Sequence, residues 1–212
     1  MTDPSEIQAL DARHLWHPYT QHLGHAPPVE IARASRAWPY DTSRLPILDR
    51  PSRVAAAILK QPFAAIQAQA ETLEQVIFAG FTHEPAARLA AELAARLPAP
   101  LTRVFLSDDG STAVEVALKM ALQAWSNRGT PRPVIAALDG AYHGDTFGAM
   151  SVSGRGVFTD PFAGQLFEIA RLPAPDDPGL LPAFGSLLAT RGGELAGLIV
   201  EPMLQGAGGM VT

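Results

Sequence analysis

The feature that most constrains this chain is an alternation, along residues 103–200, between short apolar runs and segments of helical periodicity. Arg103-Val-Phe-Leu-Ser107 reads as a strand and Ser111 to about Asn127 as a helix. Val134-Ile-Ala-Ala-Leu138 reads as a second strand and Leu166-Phe-Glu-Ile169 as a third. A helix over Leu180 to Thr190 and a fourth strand, Leu195-Ala-Gly-Leu-Ile-Val200, complete the series. Parallel strands need crossovers and helices are the usual ones, so the expected class is α/β, a mostly parallel sheet with flanking helices. Upstream, Ala64 to Phe78 and Glu84 to Leu97 carry Ile66, Ala70, Leu73 and Ile77, then Leu89, Leu93 and Leu97, near helical spacing, and predict two amphipathic helices. Residues 1–63 are rich in Pro, Arg and His without clear periodicity and are expected to form a separate segment ahead of residues 64–212.

Composition narrows the chemistry. With 47% hydrophobic and 17% charged residues the chain can bury a core and is too apolar to be disordered. Sixteen Lys+Arg against 21 Asp+Glu, with no basic block, provide no surface for tracking nucleic-acid phosphates. The absence of Cys excludes disulfides, thiolate metal sites and a cysteine nucleophile. The start, MTDPSEIQ, is acidic and polar where a secretory leader is basic and then apolar, and no apolar run reaches the ~18 residues that span a bilayer. A soluble cytoplasmic protein, with neither membrane nor nucleic acid as partner, is the expectation. Lys60 and Lys119 are the only lysines, which restricts any chemistry that needs a side-chain amine.

Three loops follow predicted strands. In Ser107-Asp-Asp-Gly-Ser-Thr-Ala-Val-Glu115, Gly110 is expected to allow a tight turn and Ser111 and Thr112 to open a helix, whose free N–H groups and positive dipole end suit an anion such as a phosphate. The competing reading is a helix capped by Ser111 or Thr112, with Glu115 closing a capping box. Asp139-Gly-Ala-Tyr-His-Gly-Asp-Thr-Phe-Gly148 supplies Tyr142 and His143 to stack on a flat ring and Asp145 to accept hydrogen bonds, or else is a turn with one packed aromatic. Glu201-Pro-Met-Leu-Gln-Gly-Ala-Gly-Gly209 is the third. In a doubly wound sheet all three emerge at the carboxyl edge, where ligands bind, and together they point to a planar, phosphorylated ligand. His14, His17, His22 and His25 have no nearby carboxylate pairs and no Cys, and Pro18 and Gly24 interrupt them, so no metal site is expected. Thr82 or His83 is expected to cap the helix that follows, with Pro85 in its first turn.

The runs Leu10-Asp-Ala-Arg-His-Leu-Trp-His-Pro-Tyr-Thr-Gln21, Phe78-Ala-Gly-Phe-Thr-His-Glu-Pro85, Ser107 to Met120, Tyr142-His-Gly-Asp145 and Glu201 to Met210 resemble class III aminotransferases, pyridoxal-phosphate enzymes of fold type I. Within that class they are similar to the biotin-pathway branch, the adenosylmethionine-8-amino-7-oxononanoate aminotransferases, and Trp16-His17-Pro18-Tyr19 favours that branch. The resemblance spans residues 1 to about 40 and 64 to 212. It implies amino transfer from S-adenosylmethionine to 7-keto-8-aminopelargonate, giving 7,8-diaminopelargonate, with pyridoxal 5′-phosphate as cofactor. By position, Gly110 and Ser111 would hold the phosphate, Tyr142 would stack on the pyridine ring, Glu201 would support the cofactor edge, and Tyr19 and Asp145 would line the substrate pocket. It also implies a homodimer. In this pattern residues 1–63 correspond to the start of a small domain and 64–212 to the first part of the large cofactor-binding domain.

Two departures accompany the resemblance. The family's Schiff-base lysine and the aspartate that pairs with the pyridine nitrogen are expected beyond Thr212, so no catalytic residue is assigned here and the 212 residues alone are expected to be inactive. From Arg44 to Phe63, RLPILDRPSRVAAAILKQPF lacks the family's tryptophan pair and Gly-His-x-His-Pro-like turn, and the pattern resumes abruptly at Ala64. A stretch read in a shifted frame would produce this, and the coding DNA in the other frames should then restore Trp-Trp. Two other functions stay open: a class III aminotransferase for ornithine-like or ω-amino substrates, and a non-catalytic remnant or interaction module.

Overall fold

The computed structural model describes residues 31–35, 38–41, 63–77, 79, 81–202, 204–205 and 210–211. Tyr19, the Trp16–Tyr19 opening, the four early histidines, residues 42–62 and the glycines of 206–209 lie outside the described residues. The chain divides into two compact units, 1–93 and 94–212.

In the first unit, β1 (Ile31–Ser35) and β2 (Trp38–Asp41) pair antiparallel, and helix α1 (Phe63–Thr72) follows. The helix ends about six residues before the predicted limit, where Gln69 Nε2 donates to Leu73 O (3.0 Å) and Thr72 Oγ1 to Ala68 O (2.9 Å). Polar side chains take up the terminal carbonyls, as helix ends require. Helix α2 (Glu84–Arg96), whose last residues belong to the second unit, starts as expected at His83, whose Nδ1 accepts from Ala86 N (3.3 Å). Leu89 and Leu93 on α2, and Leu97 just after it, are exposed, and Ala86 is the buried residue of that helix.

The second unit holds helix α3 (Gly110–Asn127), β3 (Val134–Leu138), helix α4 (Phe147–Val152), a 3-10 turn (Asp160–Gln165), β4 (Ala170–Leu172), helix α5 (Leu180–Arg191), a second 3-10 turn (Gly192–Glu194) and β5 (Leu195–Ile199). The short strands β6 (Leu204–Gln205) and β7 (Met210–Val211) pair antiparallel. The main sheet has the order β4-β3-β5, and both pairings are parallel. Its hydrophobic pattern explains why it is covered on two faces. Val134, Ala136 and Leu138 pack with Ala170 and Leu172 under Leu180, Ala183, Phe184 and Leu187 of α5. The alternate residues Ile135 and Ala137 pack with Val152 of α4 under Val114, Leu118, Ala121 and Leu122 of α3. Successive strand residues point to opposite faces, so a run apolar at every position needs a helix on each side.

Two strand expectations need correction. Arg103–Ser107 is not a strand: it joins no ladder among the described residues, and without a neighbouring backbone an apolar run has no extended pairing to adopt. The strand expected at Leu166–Ile169 lies instead at Ala170–Leu172. Pro161 opens the 3-10 turn that takes up residues 160–165, and Phe167 N donates sideways to Ser151 Oγ (3.1 Å) rather than to a neighbouring strand. No described helix is long and apolar enough to cross a membrane.

The order β4-β3-β5 marks the sheet edge at which open α/β folds bind ligands. From β3 the chain crosses to β4 on one side and then to β5 on the other, so β3 is a topological switch point whose carboxyl end opens on a crevice. The loop leaving β3 is Asp139–Thr146.

Candidate functional site

A cleft of about 490 Å³ lies at that edge, lined by Asp109, Gly110, Ser111, Val114, Tyr142, His143 and Gly144. One wall is the start of α3. Asp109 is the N-cap: its Oδ1 accepts from Thr112 N (2.8 Å), and Thr112 Oγ1 accepts from Asp109 N (3.2 Å), a reciprocal capping box. This corrects the capping expected from the sequence, in which Ser111 or Thr112 was the cap and Glu115 the closing residue. An acceptor two residues before Ser111 wins because Asp109 is extended (φ −154°) and reaches the third helical N–H. Gly110 is likewise not a left-handed turn residue. It is the first residue of the helix, and a Cβ built there would meet nothing within 4 Å. The cap leaves the N–H groups of Gly110 and Ser111 outside the helix's own ladder, facing the position where an anion is best held.

The other wall is the loop after β3. Ser111 Oγ accepts from Asp145 N at 3.2 Å, so the hydroxyl keeps its proton to donate elsewhere. Tyr142 Oη donates to Asp145 Oδ2 at 2.6 Å, and Tyr142 N donates to Glu201 Oε2 at 3.2 Å, just beyond β5. Gly110, Ser111, Tyr142, Asp145 and Glu201 are thus joined by hydrogen bonds or by the common cleft. Gly144 has φ +127°, and a Cβ there would collide with Ser111, so only glycine lets the loop lie this close to the helix.

Sequence reasoning gave His143 no more than a stacking role. Its backbone N–H donates to Ser153 Oγ (2.9 Å), and its Nε2 is buried with no hydrogen-bond partner among the described residues. Burial lowers the imidazole pKa below its ordinary value, and the nearby Glu201 carboxylate opposes the shift. Glu115 was assigned to the wrong helix end. Its Oε1 accepts from Thr146 Oγ1 and Gly148 N, each at 2.6 Å, and from Ala149 N at 3.3 Å, so it serves α4 rather than α3. The available signal was the four-residue spacing from Ser111, which puts both side chains on one side of the helix.

Residues 22–212 match the sequence profile of "Aminotransferase class-III". The chain belongs to the class-III aminotransferase family. Among curated class-III relatives, the adenosylmethionine-8-amino-7-oxononanoate aminotransferase of Synechococcus elongatus is 56% identical over 157 residues, 69% of this chain and 37% of the relative. The protein of the same name from Mycobacterium leprae is 42% identical over 98% of this chain and 51% of its own length. A crystal structure of adenosylmethionine-8-amino-7-oxononanoate aminotransferase from Methanocaldococcus jannaschii superposes with TM-score 0.88 at 31% identity, over 99% of this chain and 49% of that one. A thermostable (S)-enantioselective omega-transaminase from Thermomicrobium roseum superposes with TM-score 0.90 at 27% identity, over 100% of this chain and 52% of that one. This class-III chain therefore spans about half the length, or less, of the relatives it matches. Its parallel sheet with flanking helices is the part of the aminotransferase fold that these structures share with it.

The donor set suits a phosphorylated pyridine. The helix start at Gly110 and Ser111 lines the cleft with backbone N–H groups and a hydroxyl, Tyr142 and His143 line it from the loop after β3, and His143 Nε2 is a buried polar atom with no hydrogen-bond partner among the described residues. No Lys or Arg lines the cleft among the described residues, so the helix start is the source of positive potential for a phosphate there.

Proposed function

We propose that this chain carries the cofactor-holding part of a pyridoxal-phosphate-dependent aminotransferase of the biotin pathway, moving an amino group from S-adenosylmethionine to 7-keto-8-aminopelargonate. The observation that carries the reading is the joining of the α3 start to the loop after β3, with Ser111 Oγ 3.2 Å from Asp145 N and Tyr142 lining the same cleft. The names of the Synechococcus and Mycobacterium relatives supply the substrate class.

In this reading Gly110 and Ser111 bind the phosphate through backbone N–H groups and the Ser111 hydroxyl. Tyr142 stacks on the ring and is oriented by its bond to Asp145, while Glu201 fixes the Tyr142 backbone and so the cofactor edge. Asp145 faces the substrate side, and a second copy of the chain completes a homodimer. When bound, the cofactor supplies the electron-withdrawing ring and the aldehyde carbon that amino transfer requires. Among the described residues no lysine is placed to reach that carbon. Lys119 is exposed on α3, about 12 Å along the helix axis from Ser111.

The test uses the product of the whole open reading frame with pyridoxal phosphate, S-adenosylmethionine and 7-keto-8-aminopelargonate, and follows 7,8-diaminopelargonate. Its formation supports the reading. Turnover with ω-amino donors alone would assign the chain to that other branch of the class, and cofactor binding without turnover of either kind would leave a binding module.

A further inference from the structure

The loop that carries Tyr142 is fastened in two directions. Tyr142 N to Glu201 and His143 N to Ser153 Oγ tie it to the end of β5 and to the residue after α4. Its distance from α3 depends on two other ties: the 3.2 Å bond from Asp145 N to Ser111, and the three bonds received by Glu115 one turn further along. The Glu115 tie is the stronger of the two, being shorter, charge-assisted and shared among three donors. It also has a built seat. Gly148 is buried, and a Cβ there would collide with the Glu115 carboxylate. Glu115 does not line the cleft, and the α3 cap is made by Asp109 and Thr112 without it.

Resting on the cofactor reading above, we propose that Glu115 is a positioning residue. Its carboxylate sets the separation between the phosphate donors at Gly110–Ser111 and the Tyr142 ring, so that one ligand can engage both. Removing it leaves the phosphate donors intact and releases the ring wall. Loss of Glu115 therefore weakens a ligand that carries both phosphate and ring, and spares phosphate alone.

The experiment compares the 212-residue chain with Glu115→Ala and Glu115→Gln. Pyridoxal phosphate is titrated by absorbance, inorganic phosphate by the amide shifts of Gly110 and Ser111, and amide hydrogen exchange across 142–149 is followed without ligand. In Glu115→Ala, exchange at 142–149 accelerates about tenfold or more and pyridoxal phosphate affinity falls about tenfold, while phosphate affinity changes less than about twofold. Glu115→Gln keeps an oxygen for Thr146 and Gly148 and recovers most of both losses. If Glu115→Ala does not fold, Thr146→Val, which deletes one donor, carries the same pattern at about threefold. Unchanged exchange at 142–145, or phosphate affinity falling in parallel with pyridoxal phosphate, overturns the proposal. A wild-type chain that takes up no pyridoxal phosphate refutes the cofactor reading, and the exchange measurement then decides the positioning role alone.

Discussion

Gly144→Ala probes the approach of the β3 loop to the phosphate-binding helix. Two costs follow from the structure. Gly144 has φ +127°, a region that L-residues rarely enter, and holding alanine there costs about 1–3 kcal/mol. The new Cβ also meets the Ser111 side chain and lies 3.0 Å from the Ser111 Cα, so a side-chain rotation alone cannot make room. Moving the loop away breaks the Asp145 N to Ser111 Oγ bond, worth about 0.5–1.5 kcal/mol. Together these predict a loss of about 2–4 kcal/mol, a large share of the ~5–15 kcal/mol that stabilises a typical domain. Urea unfolding followed by Trp fluorescence and far-UV circular dichroism measures it, and a pyridoxal phosphate titration reads the effect on the cleft. Gly110→Ala is the matched control. Its Cβ enters open space at a helical position, so stability should change by less than about 0.5 kcal/mol. If Gly144→Ala is as neutral as Gly110→Ala, the loop does not lie against α3 and the geometry of the cleft is wrong.

Other consequences can be measured on the same chain. Trp125→Phe removes the donor to Ala196 O (2.9 Å) and weakens the cation contact of Arg132, whose guanidinium lies 3.4 Å from the ring centroid, so unfolding should become easier by about 1–3 kcal/mol. His143 is held neutral by burial, with its folded pKa below the ordinary 6.5. The unfolded chain therefore binds the proton first, and stability falls as pH drops through about 6.5 and stops falling below the folded pKa. His143→Gln should flatten that part of the urea-midpoint profile, and an unaltered profile would remove His143 as its cause. Borohydride reduction of the pyridoxal phosphate-treated chain followed by peptide mapping should give no stoichiometric adduct on Lys119 or Lys60. An adduct lost in Ser111→Ala would mean that one of these amines reaches the cofactor carbon.

Much of the parallel sheet was legible in the sequence because its signals are local. Val134–Leu138 is an uninterrupted apolar run, and such a run says by itself that both faces are buried. The α3 and α5 helices announce themselves by periodicity and by what flanks them. The site residues Gly110, Ser111, Tyr142, Asp145 and Glu201 were legible as a group for a related reason: each stands just after a predicted strand or at the helix start that follows one, and such positions collect at one sheet edge. Arg103–Ser107 shows where local signals stop. Its residues are as strand-like as those of β3, yet strand formation is a property of a pair, and no neighbour is described beside it.

The sequence alone determined which segments are apolar on one face or two, where glycine is available to the backbone, and which chemical groups stand behind each strand. These depend on residue identity and spacing over a few positions. Tertiary structure alone decided the partner of Glu115, which is 31 residues from Thr146 and 33 from Gly148 along the chain. It likewise decided that His143 Nε2 would be buried with no hydrogen-bond partner among the described residues. A carboxylate accepts from whichever donors the packed elements bring within about 3 Å, and at similar chemistry that choice belongs to the assembled sheet edge rather than to the local sequence.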